Sequence, residues 1–160
     1  NHSMHVLLIG INVYPAFSGL NGAVADVNLV RDFLVNTLGV PDDRTHIRTL
    51  LNENATRDRI IASFQELASK DNMIKKDDPI LIFYAGHGST LPKPPKWDAS
   101  SSEIQCLVAH DAGYDDKEGK WVKGVVPDVT LASLLATLAK AKGDNITVIL
   151  DCCHSGSGAR

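Results

Sequence analysis

A histidine and a cysteine each follow an apolar segment, at the point where a buried strand would end. His87 stands between two glycines after segment 80–83, and Cys153 belongs to the run Asp-Cys-Cys-His-Ser-Gly after segment 146–150. The carboxyl ends of parallel strands meet at one edge of a sheet, so an imidazole and a thiol can come together there. The thiolate is the reactive form of cysteine. The pattern therefore predicts a cysteine nucleophile with a histidine that serves first as base and then as acid.

The same segments offer donors for a developing oxyanion. Gly86 and Gly88 flank His87 without side chains, so the backbone of a substrate could approach closely. We expect the amides of Gly88 and Cys153 to face the oxyanion of an acyl-transfer reaction. One such donor typically contributes about 3 kcal/mol.

Other nucleophiles, bases and a metal site remain as alternatives from these residues alone. Cys152 is a rival nucleophile, although neighbouring side chains of a strand point to opposite sides. His154 is a rival base, disfavoured because adjacent residues seldom converge. Zinc could use cysteine and histidine ligands, but adjacent donors lack the gap of about two to four residues that lets one loop wrap the ion. Cys106 and His110 lie in an irregular region, where we expect them to pack or to face solvent.

The strands and helices that must position these candidate residues alternate along the chain. A capping residue, Thr56, precedes the second helical pattern. Prolines and glycines interrupt region 89–128, for which we expect a long functional loop with a small antiparallel ribbon. The order implies a three-layer α/β/α sandwich with a mostly parallel central sheet. The predicted strands are 6–11, 45–51, 80–85 and 146–151, the helices 24–38, 56–67 and 131–138, and the ribbon strands 105–109 and 121–126.

Length and composition limit the possible functions. A chain of 160 residues suits one domain, and a net charge of −3 provides no field for a polyanion, so we expect no nucleic-acid partner. No apolar run approaches the roughly 20 residues that span a bilayer, so we expect no membrane partner. Three cysteines, two of them adjacent, cannot form an ordered disulfide framework, and we expect reduced thiols in the cytoplasm, with the nucleus as a second location.

These motifs resemble those of the metacaspases, the caspase-like cysteine peptidases of fungi, plants and protists. Residues 84–88 resemble the histidine motif of that family, with Ala85 where serine is common, and residues 151–156 match its cysteine motif. Residues 7–12 and 20–27 resemble the first strand and helix, with Ala23 where many relatives have cysteine. The resemblance implies a caspase-like fold and a cysteine endopeptidase that uses His87 and Cys153.

The resemblance also implies a preference for arginine or lysine at P1, with Asp26 and Asp151 as walls of the S1 pocket. A guanidinium or ammonium in a partly buried pocket needs carboxylate partners, and the same carboxylates would reject the aspartate that caspases prefer. The structural alternatives are a solvent-facing or capping role for Asp26 and a strand-end hydrogen bond for Asp151.

No cofactor is required for this chemistry, but many metacaspases need calcium. The resemblance places one calcium-binding aspartate shortly after the cysteine motif, where residues 157–160 contain no carboxylate. Other carboxylates could bind a hard cation, although acidic turns are usually only solvated. Calcium is therefore expected at most as an activator, and the candidate ligands are Asp111, Asp115, Asp116 and Asp128.

The chain divides into three N-terminal residues and one domain. Residues 1–3 precede Met4 and resemble a remnant of an expression vector, and residues 4–160 correspond to the large (p20-like) subunit of the family. We expect self-processing after Arg160 and a small (p10-like) subunit as partner, besides peptide or protein substrates. The alternative function is a catalytically silent caspase-like interaction module, favoured if region 89–128 closes the cleft.

Overall fold

The computed structural model describes residues 3–93 and 103–152, which form strands and helices in alternation. A short 3₁₀ turn, Asn52–Asn54, precedes the second helix. The elements are β1 (His5–Gly10), α1 (Ala23–Asn36), β2 (Ile47–Leu51), α2 (Arg57–Ala68), β3 (Ile80–Ala85), β4 (Gly88–Pro92), β5 (Glu103–Asp115), β6 (Lys120–Pro127), α3 (Asp128–Lys142) and β7 (Ile146–Asp151).

The central sheet is parallel, with the strand order β2-β1-β3-β7. Its register pairs Gly10 with Ala85 and Ala85 with Asp151, so the last residues of three strands lie side by side. The chain leaves this edge toward α1 after β1 and toward His87 after β3. The expected meeting of the two motif-bearing strands at one sheet edge is therefore confirmed.

Helices cover both faces of this sheet. Side chains along each strand alternate between the two faces, and in β1 and β3 apolar side chains on both faces are buried. Val6, Leu8 and Phe83 pack with α1, whereas Leu7 and Ile82 pack with α2 and α3. This arrangement confirms the predicted three-layer α/β/α sandwich. The Thr56 cap is also confirmed, since its hydroxyl accepts a hydrogen bond from the Arg59 N–H at 3.4 Å. No described helix has the length and apolar character needed to cross a bilayer.

The described residues of region 89–128 form strands instead of the predicted long loop. The described part of it contributes to an antiparallel sheet of three strands, β4-β5-β6, instead of a ribbon of two. β4 was not predicted from the sequence because its residues lack alternating apolar side chains and end in Pro92. A proline is tolerated there because β4 is an edge strand of this sheet. Gly124 bends β6 at φ +70°, where an added Cβ would lie 2.3 Å from the Cα of Ala112.

Candidate active site

His87 lies in the tight turn between β3 and β4. The preceding Gly86 donates its N–H to the carbonyl oxygen of Asp151 at 3.2 Å, which ties this turn to the end of β7. A Cβ at Gly86 would lie 2.7 Å from the Tyr84 hydroxyl and 2.8 Å from the Tyr14 hydroxyl. The close approach of these two hydroxyls therefore requires glycine immediately before the histidine.

Two tyrosine hydroxyls hold the backbone of His87. The N–H of His87 donates to the Tyr14 hydroxyl oxygen at 2.8 Å, and the Tyr84 hydroxyl donates to the carbonyl oxygen of His87 at 2.7 Å. The carbonyl oxygen of Val108 lies 2.9 Å from the same hydroxyl, so the single O–H of Tyr84 is shared between the two carbonyl acceptors. Burial raises the pKa of Tyr14 to about 12 and raises the pKa of Tyr84 as well. Both phenols therefore stay protonated and neutral at physiological pH.

The imidazole of His87 is oriented by the loop between β1 and α1. Its Nε2 lies 2.9 Å from the backbone carbonyl oxygen of Ser18. Because a carbonyl only accepts hydrogen bonds, Nε2 is the donor, and in the neutral tautomer of the imidazole Nδ1 is then the basic nitrogen. The ring centroid lies 4.7 Å from that of Tyr14 and 5.7 Å from that of Phe17. These contacts fix both the tautomer and the plane of the ring.

An acidic cleft with a volume of about 340 Å³ opens beside His87. Asp26, in the first turn of α1, and Asp151, at the end of β7, both line it, and no lysine or arginine is among its described lining residues. The Asp26 carboxylate lies against Gly22, which also lines the cleft. The structure thus brings His87, Asp26 and Asp151 together, and gives the cleft a negative charge at neutral pH.

The three cysteines differ in position. Cys153, like His154 and Arg160, lies outside the described residues. Cys152 lines the acidic cleft and packs against the core on the α2 and α3 side of the sheet. Cys106 is buried in β5, as expected, and burial raises the pKa of its thiol to about 11.

The remaining polar candidates lie apart from the cleft. His110 places its Nδ1 2.7 Å from the carbonyl oxygen of Val13. Asp111 accepts from the Arg57 N–H at 2.8 Å. Two other aspartates bond nearby backbone N–H groups, Asp115 that of Lys117 and Asp128 that of Val129. Within residues 3–93 and 103–152, no three metal-binding side chains are grouped to hold an ion. Calcium activation stays a prediction.

Sequence reasoning missed the contribution of Tyr14, Phe17 and Ser18. These residues fall between the predicted strand 6–11 and the predicted helix 24–38, where the sequence predicted no regular element. Their role depends on how that loop folds over the end of β3, which no local pattern specifies. The available signal was a pair of aromatic residues, Tyr14 and Phe17, in the loop that follows the strand beside β3.

Comparison with known proteins gives a family match over most of the chain. The family model described as "Metacaspase, peptidase C14 domain" matches residues 5–159. Metacaspase-7 of Arabidopsis thaliana is 26% identical over 150 residues, which are 94% of this chain and 34% of that protein. Metacaspase-1 of Candida albicans is 29% identical over 162 residues, covering 94% of this chain and 33% of that protein. The chain spans about a third of the length of these curated relatives.

A solved structure gives an independent comparison of the fold. The crystal structure of a protein from Geobacter sulfurreducens matches with a TM-score of 0.71 and 24% sequence identity. The match covers 97% of this chain and 52% of that chain. At this level of identity the likeness concerns the fold alone, and it agrees with the α/β sandwich described above.

Proposed function

The chain belongs to the metacaspase family, peptidase C14 domain, and from this premise we propose that it forms the catalytic part of a cysteine endopeptidase that cleaves after arginine or lysine. The observation that carries the proposal is the shared cleft, which His87, Asp26 and Asp151 line together. A basic nitrogen and a negatively charged pocket are the two features that such a reaction requires.

Cys153 is the proposed nucleophile. The Nδ1 of His87 takes the thiol proton, the thiolate attacks the carbonyl carbon of the scissile bond, and a tetrahedral intermediate forms. Its collapse breaks the C–N bond as the imidazolium returns the proton to the leaving amine. Water then attacks the thioester, with His87 again as base, and releases the acid product and the thiol. The hydrogen bond from Nε2 to the Ser18 carbonyl supports this proposal because it leaves Nδ1 free for both transfers.

The amide of Gly88 is the proposed donor to the oxyanion, together with that of Cys153. The Val108 N–H donates to the carbonyl oxygen of His87 at 3.0 Å, and the next pair in register is Gly88 with Leu107. In an antiparallel ladder, hydrogen-bonded pairs alternate with pairs whose N–H groups point away from the partner strand. The Gly88 N–H is therefore directed away from β5, where a substrate oxygen could accept it.

The carboxylates of Asp26 and Asp151 are the proposed walls of the S1 pocket. Asp26 is half-buried and Asp151 is exposed, so Asp26 would meet a P1 guanidinium or ammonium in the less hydrated part of the cleft. Without a basic lining residue among those described, the cleft would repel a P1 aspartate. The arginine or lysine preference follows from this charge.

The proposal includes a partner at the open edge of the central sheet. β7 is the last strand of that sheet among the described residues, and its Ile149 and Leu150 are 45% and 37% exposed. An exposed apolar edge strand favours pairing with a further strand. A small (p10-like) subunit would supply that strand. Basic residues of the chain itself, Arg160 among them, would be substrates for self-processing.

Hydrolysis of fluorogenic peptides that differ only in P1 tests the proposal. We expect the full-length protein to cleave peptides with P1 arginine or lysine and to reject P1 aspartate, with calcium added as an activator in a parallel series. Cys153→Ala should lower kcat/KM by about 10⁴-fold or more. Equal cleavage after aspartate would contradict the assigned pocket. Absence of cleavage of every peptide would favour the alternative function, a catalytically inactive interaction module.

A further inference from the structure

We propose that Phe17 and Trp121 form a subsite for an apolar, preferably aromatic, P1′ side chain on the leaving-group side of the scissile bond. This inference rests on the proposed peptidase function and adds a second specificity element to it. The two rings lie 5.4 Å apart between centroids, nearly perpendicular to each other. Phe17 also contacts the imidazole of His87, with 5.7 Å between their centroids, so the aromatic pair is continuous with the histidine.

The chemistry of acyl transfer places the P1′ residue next to this pair. The imidazolium must protonate the leaving nitrogen, which is the backbone nitrogen of P1′, so that nitrogen has to lie within hydrogen-bond reach of His87. The P1 side chain occupies the acidic cleft, and neither Phe17 nor Trp121 is among the described residues lining that cleft. The chain beyond the scissile bond would therefore leave the cleft past His87. Two rings contact the imidazole there, and Phe17 is the half-buried one, whereas Tyr14 is buried.

The aromatic pair is held in place before any substrate binds. The indole Nε1 of Trp121 donates to the Ser89 hydroxyl at 3.1 Å, which anchors β6 to β4 beside the histidine turn. Tyr114 packs against the indole with centroids 5.1 Å apart and rings inclined at 70°. Both Phe17 and Trp121 are half-buried residues at the edge of the core, so neither is enclosed within it. Rings fixed in this way lose little conformational entropy on binding.

The apolar ring surfaces of Phe17 and Trp121 determine which P1′ side chain the subsite would prefer. Phe17 and Trp121 present apolar ring surface, and the indole N–H is already engaged by Ser89. An apolar P1′ side chain removes ring surface from water, and an aromatic one can add an edge-to-face contact. A P1′ aspartate would lose hydration without gaining a partner from either ring. Phenylalanine or leucine should therefore be preferred to glycine, and glycine to aspartate.

Internally quenched peptides of one sequence, with P1 arginine and only P1′ varied, test this subsite on the full-length protein. We expect kcat/KM to be about ten-fold higher with P1′ phenylalanine than with glycine. In Trp121→Ala the ratio of the two constants should fall toward one. Phe17→Leu provides a second, less disruptive variant, which should reduce the ratio part of the way. Val122→Ala is the matched control, because Val122 is the next residue of β6 and is 56% exposed.

The outcomes separate the subsite from the peptidase itself. Cleavage of all P1′ peptides at equal rates would overturn the subsite while leaving the proposed peptidase intact. A phenylalanine preference that persists in Trp121→Ala and Phe17→Leu would also overturn it. Failure to cleave any peptide, the glycine one included, would overturn the peptidase and the subsite together.

Discussion

The hydroxyl oxygen of Tyr14 accepts a hydrogen bond from the backbone N–H of His87 at 2.8 Å. This bond joins two segments that are 73 residues apart in the chain, the loop after β1 and the turn after β3. The same loop supplies the Ser18 carbonyl that bonds the imidazole. The position of the proposed base thus depends on a loop that contributes no catalytic group of its own.

Tyr14→Phe should weaken both the fold and the proposed catalysis. The substitution leaves the half-buried N–H of His87 without its acceptor, which we expect to lower the free energy of unfolding by about 1–3 kcal/mol. Loss of the constraint on His87 should reduce kcat by roughly ten-fold or more, with little change in KM. Chemical denaturation and steady-state kinetics measure the two effects. Unchanged values of both quantities would show that the hydrogen bond does not position the histidine.

Tyr14 should also make the protein sensitive to alkaline pH. Burial raises its pKa from 10.0 to about 12, so the neutral phenol is favoured in the folded state. Its contribution is fully present below pH 10 and is lost as the pH rises from 10 to 12, because the unfolded chain releases the proton first. The difference corresponds to about 2–3 kcal/mol. Denaturation at pH 9 and pH 11 should show a smaller pH dependence in Tyr14→Phe, and an identical dependence would contradict this assignment.

Neutralising the acidic cleft should weaken cleavage after arginine. Asp26→Asn and Asp151→Asn each remove one charge-assisted contact to a P1 guanidinium, and kcat/KM should fall by roughly ten- to a hundred-fold. Asp26→Asn should have the larger effect, because Asp26 is half-buried and Asp151 is exposed to solvent screening.

Asp32→Asn is the matched control, since Asp32 lies in the same helix α1 but is exposed and does not line the cleft. Kinetics with P1 arginine and P1 lysine peptides measure all three variants. A loss in Asp32→Asn equal to that in Asp26→Asn would point to a general effect of net charge, and the assigned pocket would be wrong.

The parallel strands of the fold were predictable from their continuous apolar runs. In β1 and β3 this run reflects burial on both faces of the sheet, whereas β7 has the same run although it is a partly exposed edge strand of the described sheet. The carboxyl ends of β3 and β7, which carry the two motifs, lie side by side. β4 was not predictable, since its residues acquire strand geometry by pairing with β5 rather than from their own propensity. The structure therefore has a three-stranded antiparallel sheet, which begins directly after His87, where the sequence predicted a ribbon of two strands.

The site was predictable where chemistry limits the choice of residue and not where packing does. Few side chains can act as a base at the end of a buried strand, so the motif led directly to His87 as the proposed base, and the structure places His87 beside the cleft. Tyr14 and Ser18 act through a hydroxyl and a backbone carbonyl, functions that many residues could supply. Their role follows from the path of the loop over β3, which is a tertiary property.

Covalent labelling tests the central claim most directly. The full-length protein would be treated at neutral pH with a peptidyl chloromethyl ketone that carries P1 arginine, and the modified cysteine would be identified by peptide mass mapping. We predict modification of Cys153, and none of Cys106, whose buried thiol has its pKa raised to about 11. Labelling should disappear in Cys153→Ala and persist in Cys152→Ala. Modification of Cys152 instead, or labelling that persists in Cys153→Ala, would contradict the assignment of Cys153 as the nucleophile.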